Sequence, residues 1–133
     1  MPAHFVRAGG LYQETGYAYA AIAPPGSLVF AAGACPIDET GQVAGGADYV
    51  AQARQTMANL VTALAAAGAG LADVLKTTIY VASADAADLG AVWDVVHSDF
   101  GEYEPPSTLL GVAALGYTGQ LVEIEAVAAL SPS

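Results

Sequence analysis

The stretch that decides the fold is Leu121-Val-Glu-Ile-Glu-Ala-Val-Ala-Ala-Leu130. Successive side chains of a β-strand point to opposite faces of a sheet. One face of this strand is wholly apolar and consists of Val122, Ile124, Ala126, Ala128 and Leu130. The other face carries Glu123 and Glu125, which strand geometry places about 7 Å apart. The stretch therefore predicts a strand that covers a core on one side and meets water or lines a cleft on the other.

Two segments before this strand show the three- and four-residue apolar spacing of amphipathic helices. The first covers residues 48–67, with Asp48 as its N-cap and Gly68 as its stop signal. The second begins near Asp85 and ends at Gly101. Its apolar face consists of Leu89, Val92, Trp93, Val96 and Phe100. For Trp93 the simplest interpretation is a core anchor on that face.

The remaining apolar segments are predicted to be strands: 17–23, 28–34, 74–81 and 107–114. The first two are expected to form a hairpin, because turn residues separate them. The resulting order is ββαβαββ over a single domain, residues 1–133, with no internal repeat and no linker. We expect an α+β fold in which two helices pack on one face of a single sheet. The other face would be bare in a monomer, so we expect it to pack against copies of the chain in a closed ring.

The overall composition favours contacts between subunits. Hydrophobic residues make up 55% of the 133 residues and charged residues only 12%, whereas roughly 45–50% and 25% are usual. A lone small domain does not easily hide so much apolar surface.

The charge balance disfavours two classes of partner. The net charge is −10, because 13 acidic residues outnumber Arg7, Arg54 and Lys76. Nucleic acid and anionic membrane surfaces are bound by clustered Lys or Arg, so we expect neither as a partner. Residues 15–37 carry no charge, but Pro24-Pro25 lies in their middle and argues against a membrane-spanning helix.

Cysteine and histidine usage points to a reducing compartment and to no metal site. Cys35 is the single cysteine and cannot form an internal disulfide. The first residues carry no long apolar segment of the signal-peptide type, so a cytoplasmic location is expected. With His4 and His97 far apart in the sequence, there is no metal-ligand spacing.

Several short motifs follow one another from residue 16 to residue 130 in an order that resembles one known family. They are Ala32-Gly-Ala-Cys-Pro-Ile-Asp38 with Thr40-Gly41, Ala51-Gln-Ala-Arg-Gln-Thr-Met-Ala-Asn-Leu60, Ala66-Ala-Gly68, Asp73-Val-Leu-Lys-Thr-Thr-Ile-Tyr-Val81 and Leu121-Val-Glu-Ile-Glu-Ala-Val-Ala128. Each motif alone is weak, but the combination is specific. It resembles the reactive-intermediate deaminase family, also called Rid, RidA or YjgF-like.

The resemblance implies a chorismate-mutase-like fold and a homotrimer that binds a small molecule in clefts between subunits. Members of the best-known branch hydrolyse enamines and imines of amino acids, such as 2-aminoacrylate, to 2-keto acids and ammonia. They use no metal and no organic cofactor. In that branch an arginine at the start of the strand after the second helix holds the substrate carboxylate, which suits its planar fork of donors.

This chain departs from that branch at the substrate-binding positions. Ser107 stands where the arginine is expected, so the chain resembles the arginine-lacking branches and 2-aminoacrylate deamination is in doubt. Ala32 replaces a serine, Trp93 an asparagine and Leu109 a cysteine.

The positions that match the family are Tyr17, Gly33 and Glu123. The resemblance implies that Glu123 positions water or moves a proton, a role that a carboxylate can perform. For Tyr17 both a catalytic hydroxyl and an ordinary strand aromatic stay open. Gly33 is expected to bind substrate through its backbone.

Ser107, Thr108, Trp93 and Leu109 complete the predicted binding site. The hydroxyls of Ser107 and Thr108 would serve a neutral ligand, although hydroxyls at a strand entrance are common. Neither is an activated nucleophile, because the sequence contains no order of Ser, His and Asp that suggests a triad.

Four further polar residues are interpreted as structural. Cys35 is expected to be an inert small core residue, and His97 a surface histidine one position past the apolar stripe. Lys76 could form a Schiff base only if it were desolvated. Glu125 is the less favoured of the two carboxylates on the last strand, and whether it or Cys35 lines the cleft stays open.

The sequence thus supports a small cofactor-free enzyme that hydrolyses a neutral or weakly charged imine, enamine or related carbonyl-derived compound. Two alternatives stay open: a ligand-binding or regulatory trimer without turnover, and a biosynthetic tailoring enzyme of another reaction type. A ribonuclease activity, which is attributed to some relatives, conflicts with the acidic charge.

Overall fold

The computed structural model of the chain describes residues 4–130. Its strands are β1 (His4–Val6), β2 (Ala20–Ile22), β3 (Leu28–Phe30), β4 (Val74–Val81), β5 (Ser107–Gly111) and β6 (Val122–Ala129). Its α-helices are α1 (Tyr49–Ala66) and α2 (Ala86–Phe100), and a 3₁₀ turn, Leu71–Asp73, leads into β4.

The main sheet has the strand order β3-β6-β4-β5. Strand β6 runs antiparallel to both of its neighbours, whereas β5 runs parallel to β4. The core lies between this sheet and the two helices, and its fully buried side chains include Met57, Leu60, Leu64, Ile79, Val92, Val122 and Ile124. The predicted α+β class, with two helices on one face of the sheet, is confirmed.

The predicted hairpin of segments 17–23 and 28–34 is wrong. Strand β2 pairs with β1, with Phe5 opposite Ala21, and forms a separate two-stranded sheet. Strand β3 pairs instead with β6, with Val29 opposite Ala128. The two prolines between the segments fix φ near −65° and therefore do not form the tight turns with positive φ that close short hairpins. Strand β1 escaped prediction because three residues are too few to show an alternating pattern.

The helix boundaries agree with the capping signals in the sequence. The carboxylate of Asp48 accepts hydrogen bonds from the backbone N–H groups of Val50 and Ala51, at 2.9 and 3.2 Å. That of Asp85 accepts from Ala87 N at 2.9 Å. Gly101 ends α2 with φ of 62°, a conformation that favours glycine.

The sheet face opposite the helices, here called the open face, combines apolar and charged side chains. Phe30 is 74% exposed on this face, and Leu28 and Leu110 are also exposed. Lys76, Glu123 and Glu125 also lie on it, because they alternate with the core residues of β4 and β6. Within residues 4–130 neither helix combines the length and the apolar character needed to cross a membrane.

Two amides of α1 hold the loops that carry the candidate site. Gln52 is fully buried; its Nε2 donates to Gly46 O at 2.6 Å and Gly119 O at 2.9 Å, and its Oε1 accepts from Leu121 N at 2.7 Å. Asn59 donates to Cys35 O at 2.7 Å and to a second carbonyl two residues further on. The segments on either side of Glu123 are thereby fixed to the helix layer.

Candidate functional site

Glu123 lies on β6 beside the segment that follows β3. The backbones of Ala34 and Ile124 exchange two hydrogen bonds, at 2.8 and 3.0 Å, and bring Gly33 next to the carboxylate. Oε1 of Glu123 accepts from Nε2 of Gln120 at 3.1 Å and from Sγ of Cys35 at 3.3 Å. These four residues, Gly33, Cys35, Gln120 and Glu123, are here called the carboxylate cluster.

Gly33 is required in this cluster for steric reasons. A Cβ atom built on Gly33 would lie 2.7 Å from Cδ and 2.9 Å from Cγ of Glu123, closer than carbon atoms approach in folded proteins. The absence of a side chain therefore lets Glu123 lie across the backbone at this position.

Gly33→Ala is expected to destabilise the chain by about 1 kcal/mol, because the new methyl group displaces the end of the Glu123 side chain from its hydrogen bonds with Gln120 and Cys35. Thermal or denaturant unfolding of Gly33→Ala, Glu123→Ala and the double variant measures this. If Glu123 is the obstacle, the cost of Gly33→Ala disappears in the Glu123→Ala background. An unchanged cost in that background would contradict the steric account.

The thiol of Cys35 is a hydrogen-bond donor here and not an activated nucleophile. Burial raises its pKa to about 11, with a further contribution from the neighbouring Glu123 carboxylate. Because a thiol is nucleophilic only as the thiolate, Cys35 stays protonated and unreactive near neutral pH.

A second group of predicted site residues lines a cavity of about 460 Å³. The lining consists of Thr15, Tyr17, Trp93, Ser107, Thr108 and Leu109. The ring of Tyr17 meets that of Trp93 edge to face, with centroids 6.0 Å apart and planes at 87°. This cavity, here called the aromatic cavity, has no charged side chain in its lining.

The wall of the aromatic cavity that carries Tyr17 is tied to the loop that follows α2. Oγ1 of Thr15 donates to Tyr17 O at 2.6 Å, and Ala18 N donates to Glu104 O at 2.8 Å. The Glu104 carboxylate in turn lies 2.9 Å from Nε2 of His97 and 2.7 Å from a guanidinium nitrogen of Arg7. The hydrogen bond with His97, assisted by Arg7, holds the pKa of Glu104 below its usual value.

His97 therefore has a structural partner, and it also stacks on Trp93 with ring centroids 5.5 Å apart. This stacking fixes the orientation of the indole in the cavity wall.

The hydroxyls at the entrance of β5 differ in their availability. Oγ of Ser107 lies 2.6 Å from Oγ1 of the buried Thr77 and donates to Pro105 O at 3.0 Å, so it is engaged within the chain. Thr108 is exposed, and its Oγ1 accepts from Nζ of Lys76 at 3.4 Å. Thr108 is thus the better placed of the two to donate to a ligand.

Glu125 lies apart from the carboxylate cluster. Its carboxylate accepts a hydrogen bond from the Tyr80 hydroxyl on the open face, and this bond raises the pKa of Tyr80. Glu125 consequently has a partner within the sheet, as a structural role requires.

The predicted site residues fall into two groups that do not meet within one chain. Tyr17, Trp93, Ser107, Thr108 and Leu109 share the aromatic cavity, whereas Gly33 and Glu123 do not line it. Within residues 4–130, no three His, Cys, Asp or Glu side chains lie close enough to hold a metal ion.

Sequence reasoning missed two members of these groups. Gln120 sits in a turn and Thr15 in a loop, where no periodic pattern marks a side chain as inward-facing. The only sequence feature that could have indicated Gln120 is its position directly after the Gly119 turn and three residues before Glu123.

Comparison with known proteins decides the family. A family model described as endoribonuclease L-PSP matches residues 11–130. The chain belongs to this family. It is the Rid, or YjgF-like, family that the sequence motifs indicated, so that prediction is confirmed.

Three proteins illustrate the similarity of this Rid-family chain to its relatives. A RutC family protein of Pyrococcus horikoshii is 38% identical over 104 residues, which are 77% of this chain and 79% of that protein. A 2-iminobutanoate/2-iminopropanoate deaminase of Salmonella typhimurium is 35% identical over 105 residues, 77% of this chain and 80% of that one. The crystal structure of YyfB from Yersinia pestis, a Rid protein of unknown function, superimposes with a TM-score of 0.91 at 31% identity and covers 98% of this chain and 100% of the other.

Proposed function

We propose that this Rid-family chain hydrolyses imines or enamines without metal or organic cofactor, and that its preferred substrates lack a carboxylate. The observation that carries the proposal is the uncharged lining of the aromatic cavity at Ser107. Family membership and the deaminase relative support the reaction type.

In the proposed reaction Glu123 moves protons. Water adds to the imine carbon while the carboxylate takes one of its protons, and the nitrogen accepts a proton and leaves as ammonia. The carbonyl product keeps the water oxygen. A positioned carboxylate is suited to both transfers. Tyr17, whose hydroxyl has no hydrogen-bond partner within residues 4–130, would hold the carbonyl or imine group.

The ligand preference follows from what the aromatic cavity offers. Tyr17, Trp93 and Leu109 present apolar and aromatic surface, and Thr108 offers a neutral donor. An α-carboxylate would meet no cation in the lining of this cavity. Beyond the lining, Nζ of Lys76 lies 3.4 Å from Oγ1 of Thr108 and offers a point charge instead of a planar guanidinium fork. The carboxylate would therefore lose hydration with weaker compensation than an arginine gives. A substrate that carries an apolar or aromatic substituent instead of the carboxylate has no such hydration to lose.

The complete site is proposed to form between copies of the chain in a homotrimer. The carboxylate cluster and the aromatic cavity do not meet within one chain, and the open face carries exposed apolar residues, including Phe30 and Leu110. Packing of open faces would bring the cluster of one copy to the cavity of the next. Sedimentation should give the mass of three 13.3 kDa chains, and a monomer would remove the shared cleft.

A binding or regulatory trimer without turnover is the second candidate, because the uncharged cavity would bind a neutral ligand equally well. A tailoring enzyme of another reaction type would use the same two groups of residues.

RNA cleavage is disfavoured by the net charge of −10. The lone cysteine fits a cytoplasmic location.

The function is tested by hydrolysis of imines generated in situ, with the remaining imine trapped and compared with free product. An amino-acid oxidase supplies a carboxylate-bearing imine, and an amine oxidase acting on an arylalkyl amine supplies a neutral one. We expect the protein to accelerate hydrolysis of the neutral imine at least tenfold more than that of the anionic one. If neither reaction is accelerated, the hydrolase proposal fails and ligand binding without turnover replaces it.

A further inference from the structure

The Glu123 carboxylate is held through only one of its oxygens. Oε1 accepts both hydrogen bonds, from Gln120 at 3.1 Å and from Cys35 at 3.3 Å. Oε2 lies against Gly33 and accepts no hydrogen bond from residues 4–130. One oxygen is therefore fixed and the other is left available.

The side chain of Gln120 is held so that its Nε2 donates to the Glu123 carboxylate. It is only 4% exposed, and its Nε2 donates to both Val122 O at 3.0 Å and Glu123 Oε1 at 3.1 Å. Its Oε1 accepts from Tyr117 N at 3.1 Å. A flipped amide would turn its oxygen toward two acceptors, so the network admits one orientation.

Of the other titratable groups near Glu123, Tyr80 donates elsewhere and Cys35 is only a weak donor to the carboxylate. Tyr80 lies opposite Glu123 in the strand register, but its hydroxyl donates to Glu125. Cys35 donates to the same oxygen as Gln120, through a thiol, which is a weak donor. Gln120 is thus the stronger of the two donors to the carboxylate.

We propose that Gln120 is a positioning residue that fixes Glu123 so that Oε2 is the oxygen that exchanges a proton with the ligand. This inference rests on the proposed proton-transfer role of Glu123. Gln120 itself does not touch the ligand. A fixed carboxylate enters the reaction already oriented, whereas a rotating one would have to be ordered in each turnover.

Two variants separate positioning from support of the turn. Gln120→Met removes all side-chain hydrogen bonds at nearly the same volume. Gln120→Glu, assayed above pH 7, keeps an acceptor for Tyr117 N but has no donor for Glu123. Both are expected to lower kcat about tenfold with KM unchanged, because loss of a hydrogen bond to a charged group is worth about that factor. If Gln120→Glu keeps the wild-type kcat and only Gln120→Met loses activity, the only role of Gln120 is to support the turn, and the positioning proposal fails.

The only thiol of the chain supplies a readout that needs no turnover. The Glu123 carboxylate contributes to the raised pKa of Cys35, so Glu123→Gln should speed alkylation of Cys35 by iodoacetamide at pH 8.5 several-fold. Gln120 itself lowers the pKa of the Cys35 thiol, so its loss alone would slow alkylation and only release of the carboxylate can speed it. If Gln120 holds Glu123 against the thiol, Gln120→Met should therefore speed alkylation toward the Glu123→Gln rate. An unchanged or slower rate would overturn the proposal, because the carboxylate would then stay in place without Gln120.

Gln42→Met, at an exposed glutamine whose side chain makes no hydrogen bond within residues 4–130, serves as the matched control and should alkylate at the wild-type rate. Thermal unfolding of each variant verifies that the reagent reaches a folded protein. If no imine is turned over while Gln120→Met still speeds alkylation, the proposed reaction fails but the positioning of Glu123 stands.

Discussion

Glu123→Gln is expected to lower kcat for hydrolysis of a neutral imine by about 100-fold or more, with KM within about threefold of the wild-type value. The amide oxygen can still accept the hydrogen bonds from Gln120 and Cys35, so the side chain keeps its place. It cannot take a proton near neutral pH, and general acid–base catalysis by one group contributes about 10²–10⁴-fold. Steady-state kinetics with the in situ imine measures both parameters.

Glu125→Gln is the matched control, because Glu125 lies two residues along the same strand and accepts its hydrogen bond from Tyr80. It should keep kcat near the wild-type value. Equal losses in both variants would show that charge on β6 in general, rather than the carboxylate cluster, supports turnover. A Glu123→Gln variant with full activity would remove the proposed proton-transfer role.

Ser107→Arg is expected to reverse the ligand preference of the aromatic cavity. A guanidinium at the entrance of β5 would pair with a substrate carboxylate, and such a charge-assisted contact is worth about 1.5–3 kcal/mol, or roughly 10–100-fold in kcat/KM for the anionic imine. The neutral imine should lose activity, because the long side chain fills part of the cavity. Comparison of kcat/KM for the two imines measures the reversal.

Two variants control for the other consequences of this substitution. Ser107→Met adds similar bulk without charge and should lower kcat/KM for both imines. Ser107→Ala removes the hydroxyl that pairs with Thr77, at a cost in stability of about 1 kcal/mol, and should leave the preference for neutral imines intact. If Ser107→Arg gains no activity on the anionic imine, the entrance of β5 is not where a carboxylate would bind.

Much of the fold was predictable because it rests on periodic patterns and capping signals. The alternation over residues 121–130 predicted that Glu123 and Glu125 share the face away from the core, and Asp48 and Gly101 marked a helix start and a helix end that the structure reproduces. The pairing of β2 was mispredicted because short strands take whichever partner the tertiary structure offers.

The candidate site was predictable residue by residue but not as an arrangement. Family motifs selected Glu123, Tyr17 and the substitution at Ser107, yet no pattern showed that one chain keeps Glu123 apart from Tyr17. Gln120 was missed because a polar residue in a turn is usually solvated. Here it is buried, between two residues whose backbones are hydrogen-bonded to Gln52.

The central claim is that the aromatic cavity binds ligands that lack a carboxylate, and both the hydrolase and the binding-module interpretations depend on it. Trp93 is the only tryptophan of the chain and lines this cavity, so intrinsic fluorescence reports occupancy without any need for turnover.

The measurement that tests the claim most directly is a fluorescence titration of the wild-type protein with a matched pair of carbonyl compounds. One is an aryl-substituted 2-keto acid, and the other is the methyl ketone in which a methyl group replaces the carboxylate. We expect the ketone to change Trp93 fluorescence with a Kd at least tenfold lower than that of the keto acid. Tighter binding of the keto acid, or no response to either compound, would contradict it.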